Sequence, residues 1–260
     1  MKPLAVVTGA SSGIGLALAR QFADHGFDLV VCAEDRGIRA VADRLRDLGA
    51  DVTAVRADLA TYDGVEQLYG AVLATRRPVA AAALNAGVGV GGAFTDVGLA
   101  DHARIIDLNI SSTVHLAHRL LRGMVAEDDG RLLITSSVAS MAPGPYQTVY
   151  SASKSFLQSF AQGLRSELAG TGVTVTSLMP GATETAFFHR AGMQDTRLGR
   201  MTKDAPDEVA EDAFDALMSG RDKVVAGSVR SKALGAAVKV LPDRLKAAGQ
   251  RYLSRPHPGR

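Results

Sequence analysis

The sequence has a single cysteine, Cys32, among its 260 residues. No intrachain disulfide can form, and a chain without disulfides is typical of a reducing compartment. The formal net charge is only +2. A chain this close to neutral shows no general attraction to nucleic acids or other polyanions. These two absences exclude a disulfide-stapled domain and give no support for a nucleic-acid partner.

Long hydrophobic runs are also missing. No apolar run approaches the roughly 20 residues needed to cross a bilayer. The first three residues lead directly into a short apolar segment, so we expect no signal peptide. Since 47% of the residues are hydrophobic, the chain can bury a large core as one α/β domain. We therefore expect a soluble cytoplasmic protein.

Short apolar segments alternate with helical patterns along the whole chain. The apolar segments predict seven strands, at Leu4–Val7, Leu29–Ala33, Val52–Ala57, Val79–Leu84, Arg131–Ser137, Val173–Met179 and, more weakly, Val224–Val225. Helical periodicity predicts a helix through Leu16 to Phe22 and others at 36–48, 61–75, 99–125 and 147–169. This alternation predicts an α/β fold, a doubly wound Rossmann-like parallel sheet with helices on both faces. Ligands of such a sheet bind at the carboxyl ends of the strands.

A glycine-rich turn follows the first predicted strand and opens the first helix. It contains Gly9, Gly13 and Gly15, with Ser11, Ser12 and Ile14 between them. Glycines let the backbone approach a phosphate closely, and a helix N-terminus offers free N–H groups and a positive dipole end. The turn lacks the Gly-Lys-Ser/Thr ending of a P-loop, which disfavours a kinase or ATPase. It therefore predicts a dinucleotide site.

Three charged residues close the second predicted strand: Glu34, Asp35 and Arg36. An acid at this point typically binds the ribose hydroxyls of NAD, whereas a base accepts the 2′-phosphate of NADP. Glu34 and Asp35 favour NAD. Arg36 leaves NADP open.

A tyrosine and a lysine stand four residues apart, at Tyr150 and Lys154. This spacing places both on one face of a helix, one turn apart. A nearby ammonium favours the phenolate, so we expect Lys154 to lower the pKa of Tyr150. Such a tyrosine can exchange a proton with a substrate oxygen.

With these residues in place, the sequence resembles the short-chain dehydrogenase/reductase family over about residues 4–226. The motifs that carry the resemblance occur in the family's order, and Ser137 precedes Tyr150 by the interval the family pattern asks. They are the glycine turn from Thr8 to Gly15, Asp58, Asn85 to Gly87, Asn109, Ser137, the Tyr150–Lys154 pair and Pro180-Gly181 with Thr185. One residue departs from the pattern, because Leu84 stands where the family usually has a second asparagine.

The resemblance implies an NAD(P)-dependent enzyme that interconverts a secondary alcohol and a ketone. The implied catalytic residues are Asn109, Ser137, Tyr150 and Lys154, with Asn109 holding a water that relays protons. The implied cofactor-binding residues are Gly9, Ser11, Ser12, Gly13, Ile14, Gly15, Glu34, Asp58, Leu59, Asn85, Ala86, Gly87, Tyr150, Lys154, Pro180, Gly181, Thr183 and Thr185. No histidine, cysteine or carboxylate spacing predicts a metal site. We also expect a homodimer or homotetramer.

Two segments depart from the alternation of strands and helices. Residues 181–205 form a predicted substrate loop or lid, and Phe187, Phe188, Met193 and Met201 favour an apolar substrate. Residues 1–227 are the predicted cofactor-binding and catalytic domain. Residues 228–260 are a basic extension, either part of that domain or an oligomer contact.

Three other functions compete with this prediction. A regulatory NAD(P)-binding protein could share the fold without turnover, although such proteins usually lose the tyrosine or the lysine. A transferase could have a similar sheet, but Ser137, Tyr150 and Lys154 would have no role in it. A peripheral binder could act through the basic extension, but such a charge run is more often a solvated helix face.

Overall fold

The computed structural model describes residues 1–228 and 242–255. Seven parallel strands form one sheet in the order β3-β2-β1-β4-β5-β6-β7. The strands are β1 Leu4–Thr8, β2 Asp28–Ala33, β3 Val52–Arg56, β4 Val79–Leu84, β5 Gly130–Thr135, β6 Val173–Pro180 and β7 Lys223–Ala226. The predicted Rossmann-like parallel sheet is confirmed.

Helices cover both faces of this sheet. The described helices are α1 Gly13–Asp24, α2 Ile38–Asp47, α3 Tyr62–Ala74, α4 Leu99–Ile105, α5 Ser112–Ala126, α6 Thr148–Glu167, α7 Phe187–Arg190, α8 Arg197–Arg200, α9 Pro206–Met218 and α10 Asp243–Ser254. Among the described residues, no helix is both long enough and apolar enough to cross a bilayer.

The core has two layers because side chains alternate across each strand. In β1, Ala5 and Val7 face the layer formed with α1, α2 and α9. Leu4 and Val6 face the opposite layer, formed with α3, α5 and α6. Both faces are buried, which explains why β2 from Leu29 onwards and most of β1 are continuous apolar runs rather than alternating ones.

Strand β4 forms from a segment whose composition favours helix. It pairs with β1 on one side and with β5 on the other. Its residues Ala81, Ala82 and Ala83 are completely buried at the centre of the sheet. Tertiary pairing therefore overrides the helix propensity of alanine here.

The predicted helix 99–125 is interrupted. Its middle part, Ile106–Ser111, is a π-helical turn between α4 and α5 that contains Asn109. Such turns inside α-helices occur frequently at functional sites.

Strand β5 ends two residues earlier than expected. Ser136 and Ser137 follow it, and the Ser137 hydroxyl accepts a hydrogen bond from the Ala139 N–H at 3.1 Å. Ser137 thereby caps the 3₁₀ turn Val138–Met141. The strand therefore stops where the backbone turns away to form this capped turn.

The expected substrate loop, residues 181–205, contains the short helices α7 and α8. Phe188, Ala191 and Met193 form a small hydrophobic cluster of their own within it. An isolated bridge between Thr183 and Asp204 joins the two ends of the segment. Helix α9, which follows, was not among the predicted elements; Pro206 at its start and two acids in its first turn are the signals that mark it.

Part of the basic extension 228–260 lies outside the described residues, including its Lys and Arg positions 230, 232, 239 and 260. Its described part consists mainly of α10, which packs against α8.

Candidate active site

A cavity of about 520 Å³ opens at the carboxyl ends of the strands. This volume lies within the range of small-molecule and cofactor sites. The predicted residues that line it are Gly9, Ser11, Ser12, Gly13, Ile14, Glu34, Asp58, Leu59, Asn85, Ala86, Gly87, Ser137, Tyr150, Lys154, Pro180, Gly181, Thr183 and Thr185. Two predicted residues, Gly15 and Asn109, are not in the cavity lining.

The glycine turn is built for close backbone approach. Gly9 and Gly13 have φ of +67° and +57°, in the left-handed region that favours glycine. A Cβ on Gly15 would lie 2.2 Å from the carbonyl oxygen of Gly9. Gly15 does not line the cavity, but its lack of a side chain lets α1 pack directly against the turn. The free N–H groups at the start of α1 fit a cofactor pyrophosphate.

Asn85 joins the ends of three strands beneath the cavity. Its backbone N–H donates to the Thr8 hydroxyl at 2.9 Å, and its side-chain carbonyl accepts from the Thr135 hydroxyl at 3.2 Å. The Ala86 N–H also donates to the Thr8 hydroxyl, at 3.0 Å. Asn85 therefore shapes the cavity floor.

An arginine that the sequence analysis did not identify lies at the far end of the groove. Arg104, on α4, donates to Glu34 at 2.6 Å and to Asp58 at 3.0 Å. Burial by itself would raise the pKa of Asp58, but the hydrogen bonds from Arg104 and from the Ala60 N–H outweigh it and lower that pKa. The hydrogen bond to Asp58 in turn raises the pKa of Arg104. The two acids expected at the adenosine therefore share one counter-charge.

Tyr150 sits in the first turn of α6 with its ring 5.1 Å from that of Phe187, between centroids. Its side chain is partly buried where it lines the cavity. This burial raises the pKa of Tyr150 to about 12, against the opposing effect of a hydrogen bond with Ser137. The phenol is therefore protonated at neutral pH and able to donate a proton.

Lys154 is buried one turn further along α6. Its Nζ donates to the carbonyl oxygen of Thr135 at 2.8 Å and lies 5.8 Å from the Tyr150 ring centroid. Burial lowers the pKa of Lys154 to about 8. The expected lowering of the Tyr150 pKa by Lys154 is not seen in this structure, because burial dominates both groups and drives their pKa values in opposite directions.

Asn109 is completely buried behind the cavity. Its side-chain carbonyl accepts from the Val88 N–H at 2.9 Å, and its amide donates to the Val88 carbonyl and to Ser153. A Cβ on Gly87 would lie 3.1 Å from the Asn109 side-chain oxygen and 3.3 Å from Lys154 Nζ. Asn109 thus binds the backbone after β4 to α6, and Gly87 leaves room for Lys154 beside it.

Apolar side chains from residues 181–205 complete the wall around Tyr150. Phe187, Phe188, Leu198 and Met201 line the cavity. Met193 is buried behind this wall, where its side chain packs against Gly91. The Tyr150 ring therefore has an apolar neighbour in Phe187, although Arg190, Lys203 and Asp204 of the same segment also line the cavity.

Comparison with known proteins identifies the family. The short-chain dehydrogenase model matches residues 3–196. The chain belongs to the short-chain dehydrogenase family. The sulfoacetaldehyde reductase 2 of Chromohalobacter salexigens is 34% identical over 216 residues, covering 82% of this chain and 85% of that protein.

Two solved short-chain dehydrogenases illustrate the structural likeness. The enzyme from Sphingobium yanoikuyae, in complex with NADPH, superposes with a TM-score of 0.80 at 30% identity, covering 90% of this chain and 93% of that one. The enzyme from Burkholderia phymatum, in complex with NAD, gives 0.83 at 27% identity and 92% of both chains. The predicted class, an NAD(P)-dependent oxidoreductase, is confirmed with the family.

Several residues of this short-chain dehydrogenase's cavity carried no signal in the sequence. Gln147 precedes α6, and Gln250 and Leu253 come from α10, yet all three line the same cavity. Gln147 stands close to Tyr150 in sequence, which is the one signal that could have marked it. Nothing local marks the two residues of α10, because they reach the site through long-range packing.

Proposed function

We propose that this chain interconverts a secondary alcohol and a ketone, with NAD or NADP as the hydride carrier and Tyr150 as the acid and base. The observation that supports this proposal is the meeting of Ser137, Tyr150 and Lys154 in one cavity with the glycine turn. A regulatory protein or a transferase would have no catalytic role for Ser137, Tyr150 and Lys154.

Each residue has a distinct role in the proposed reduction. The bound nicotinamide supplies the hydride. Tyr150, which keeps its proton at neutral pH, donates that proton to the carbonyl oxygen. The Ser137 hydroxyl donates a hydrogen bond to the same oxygen as negative charge develops.

Lys154 is proposed to act behind Tyr150. As an ammonium it stabilises the phenolate left after proton donation and donates to the nicotinamide ribose. Gly9, Ser11, Ser12, Gly13 and Ile14 would hold the pyrophosphate. Asp58 and Leu59 would flank the adenine, and Ala86 and Gly87 would line the groove. Pro180, Gly181, Thr183 and Thr185 would face the nicotinamide.

For the cofactor we propose NAD over NADP. Glu34 carries a carboxylate where a 2′-phosphate would otherwise fit, and it can accept the ribose hydroxyl protons instead. Arg104 offsets part of this charge. Both partners of that pair are about half exposed, and such pairs contribute at most about 1 kcal/mol, so a bound cofactor can displace the contact.

The proposal is tested by mixing the purified chain with NADH or NADPH and following the cofactor's fluorescence, then by assaying turnover on a panel of ketones and aldehydes. The panel includes neutral apolar ketones, which the lining favours, and sulfoacetaldehyde, because one relative is a reductase of that compound. We expect saturable binding of a cofactor and its oxidation with at least one carbonyl. Binding without turnover across the panel would favour the regulatory alternative.

Other predictions remain to be tested. Light scattering of the purified chain would measure the expected homodimer or homotetramer. The cytoplasmic location stays a prediction that rests on the single cysteine and on the lack of long hydrophobic runs. Burial raises the pKa of Cys32 to about 12, so we assign this thiol a packing role.

A further inference from the structure

The last described helix reaches the active-site cavity. Gln250 and Leu253 of α10 line it together with Tyr150, Phe187 and Met201. Both α10 side chains are only partly buried. They therefore form an accessible part of the wall rather than its interior packing.

A buried hydrogen bond fastens α10 to the start of the catalytic helix. The Gln147 side-chain amide donates to the Ser254 hydroxyl at 2.9 Å, and the two residues retain only 7% and 1% of their exposure. Gln147 is the residue before α6, whose first turn carries Tyr150. A buried polar pair of this kind specifies one arrangement, because either group alone would be left without a partner.

A second contact fastens α10 to the substrate segment. The Arg197 guanidinium donates to the Tyr252 carbonyl at 3.2 Å and lies 4.0 Å from the centroid of the Tyr252 ring. Arg197 opens α8, the short helix just before Met201. Helix α10 is thus bound both to the start of α6, which carries Tyr150, and to α8 of the substrate segment.

We propose that α10 is the distal wall of the substrate pocket and selects carbonyl compounds with a large apolar substituent. Leu253 contacts that substituent, Gln250 offers an amide to a polar group on it, and Gln147 is a positioning residue that holds α10 in place through Ser254. This inference rests on the proposed function.

The first test compares two leucines of the same helix. Leu253→Ala shortens a cavity residue, whereas Leu245→Ala shortens an exposed one outside the cavity lining. The probes are 4-phenyl-2-butanone and butanone, which share a methyl ketone and differ by the phenyl group. Binding to the chain loaded with the oxidised cofactor, which cannot reduce a ketone, is measured by calorimetry, and kcat and KM are measured with the reduced cofactor.

We expect Leu253→Ala to bind the phenyl ketone about tenfold more weakly, since one methylene group in an apolar pocket changes affinity by about that factor, and to weaken butanone binding much less. Leu245→Ala should match the wild type on both probes. Equal behaviour of the two variants, or a wild type that binds the phenyl ketone no better than butanone, would overturn the proposal. With the oxidised cofactor, calorimetry reads binding without any reduction, so binding that depends on Leu253 without turnover would count against the proposed function alone.

The second test addresses the positioning role. Ser254→Ala leaves the Gln147 amide without its partner, and Ser254→Thr restores a hydroxyl. We expect the alanine variant to raise KM for the phenyl ketone severalfold, with kcat on butanone retained, and the threonine variant to recover the wild-type KM. A drop in kcat on both probes, or no change in KM, would show that the bond only stabilises the fold.

Discussion

Burial governs the two titratable residues at the centre of the site. Tyr150 and Lys154 are driven in opposite directions, to pKa values of about 12 and about 8, because both lose solvent. Each shift favours the neutral form of its group. Near neutral pH the phenol keeps its proton and the ammonium keeps its charge, but the margin for Lys154 is small.

The role of Tyr150 is tested by Tyr150→Phe. The variant removes one oxygen and keeps the aromatic contact with Phe187. We expect turnover to fall by about 10²-fold or more, as for loss of a general acid. The Kd of NADH should stay close to that of the wild type. A folded variant that retains turnover would rule out the assignment.

A pH profile tests Lys154. Since its pKa lies at about 8, the ammonium is present below that pH and is lost above it. We expect kcat/KM for ketone reduction to decline above about pH 8 in the wild type. In Lys154→Met this break should be absent, at a lower activity throughout and with weaker cofactor binding. The same break in both proteins would assign it to another group.

The proposed preference for NAD rests on the negative charge of Glu34. The 2′-phosphate of NADP would place a second negative charge at about 4 Å from the Glu34 carboxylate. Near a protein surface this costs roughly 1–4 kcal/mol, enough to change the ratio of NADP to NAD affinity tenfold. We expect Glu34→Arg to shift binding towards NADPH, measured as the ratio of the Kd values of NADPH and NADH. Tighter NADPH binding by the wild type would contradict the proposed NAD preference.

Arg104 gives an independent test of the same charge. Arg104→Gln leaves Glu34 and Asp58 without their counter-charge. We expect NADPH to bind about tenfold more weakly relative to NADH, by the same like-charge cost. Arg36→Gln is the comparison, because Arg36 is the other base at this turn. A larger effect from Arg36 than from Arg104 would assign the specificity to Arg36.

At the scale of elements, the sequence predicted those features that depend on neighbouring residues, such as strands and tight turns. The strands followed from continuous apolar runs, and the tight turn at the cavity from Gly9, Gly13 and Gly15. The partners of Arg104 did not follow, because Glu34 lies 70 residues away and the arginine is partly exposed. The bond between Gln147 and Ser254 spans 107 residues. Periodicity tells which face of a helix is buried, but not which distant polar group meets it.

The start of α1 offers a test at this scale. In Gly15→Ala the new methyl group would collide with the Gly9 carbonyl, so α1 must move away from the turn. We expect lower thermal stability and a Kd for NADH raised at least tenfold. Gly70→Ala in α3 is the matched control, since nothing lies within 4 Å of its Cβ. That control should be neutral or stabilise by about 0.5–1 kcal/mol. Equal stability and cofactor affinity in both variants would contradict the steric role of Gly15.

At the scale of the whole molecule, the buried Lys154 makes the free energy of unfolding depend on pH. Its folded pKa of about 8 lies below the unfolded value near 10.5. Between these values the unfolded chain binds a proton that the folded chain does not, so stability rises with pH. Tyr150 acts oppositely, but only above about pH 10, where the unfolded phenol starts to ionise.

This dependence is measured by urea unfolding at pH 7.5 and 9.5. We expect the wild type to gain about 2 kcal/mol relative to Lys154→Met between the two values, from the linkage relation. Lys223→Met, on the partly exposed β7, should track the wild type. If the difference between the wild type and Lys154→Met stays constant, Lys154 carries its charge in the folded chain throughout this range.

The strand order also has a kinetic consequence. Leu4 of β1 pairs with Asp28 on one side and with Val79 on the other. The first strand thus finds one neighbour early and the other only after three helices and two further strands have been passed along the chain. Parallel pairings between such distant segments make folding slow, because a long loop must close before its contacts form. Refolding of this chain should therefore depend on how long the open edge of β1 remains uncovered, and dilute conditions should improve its yield.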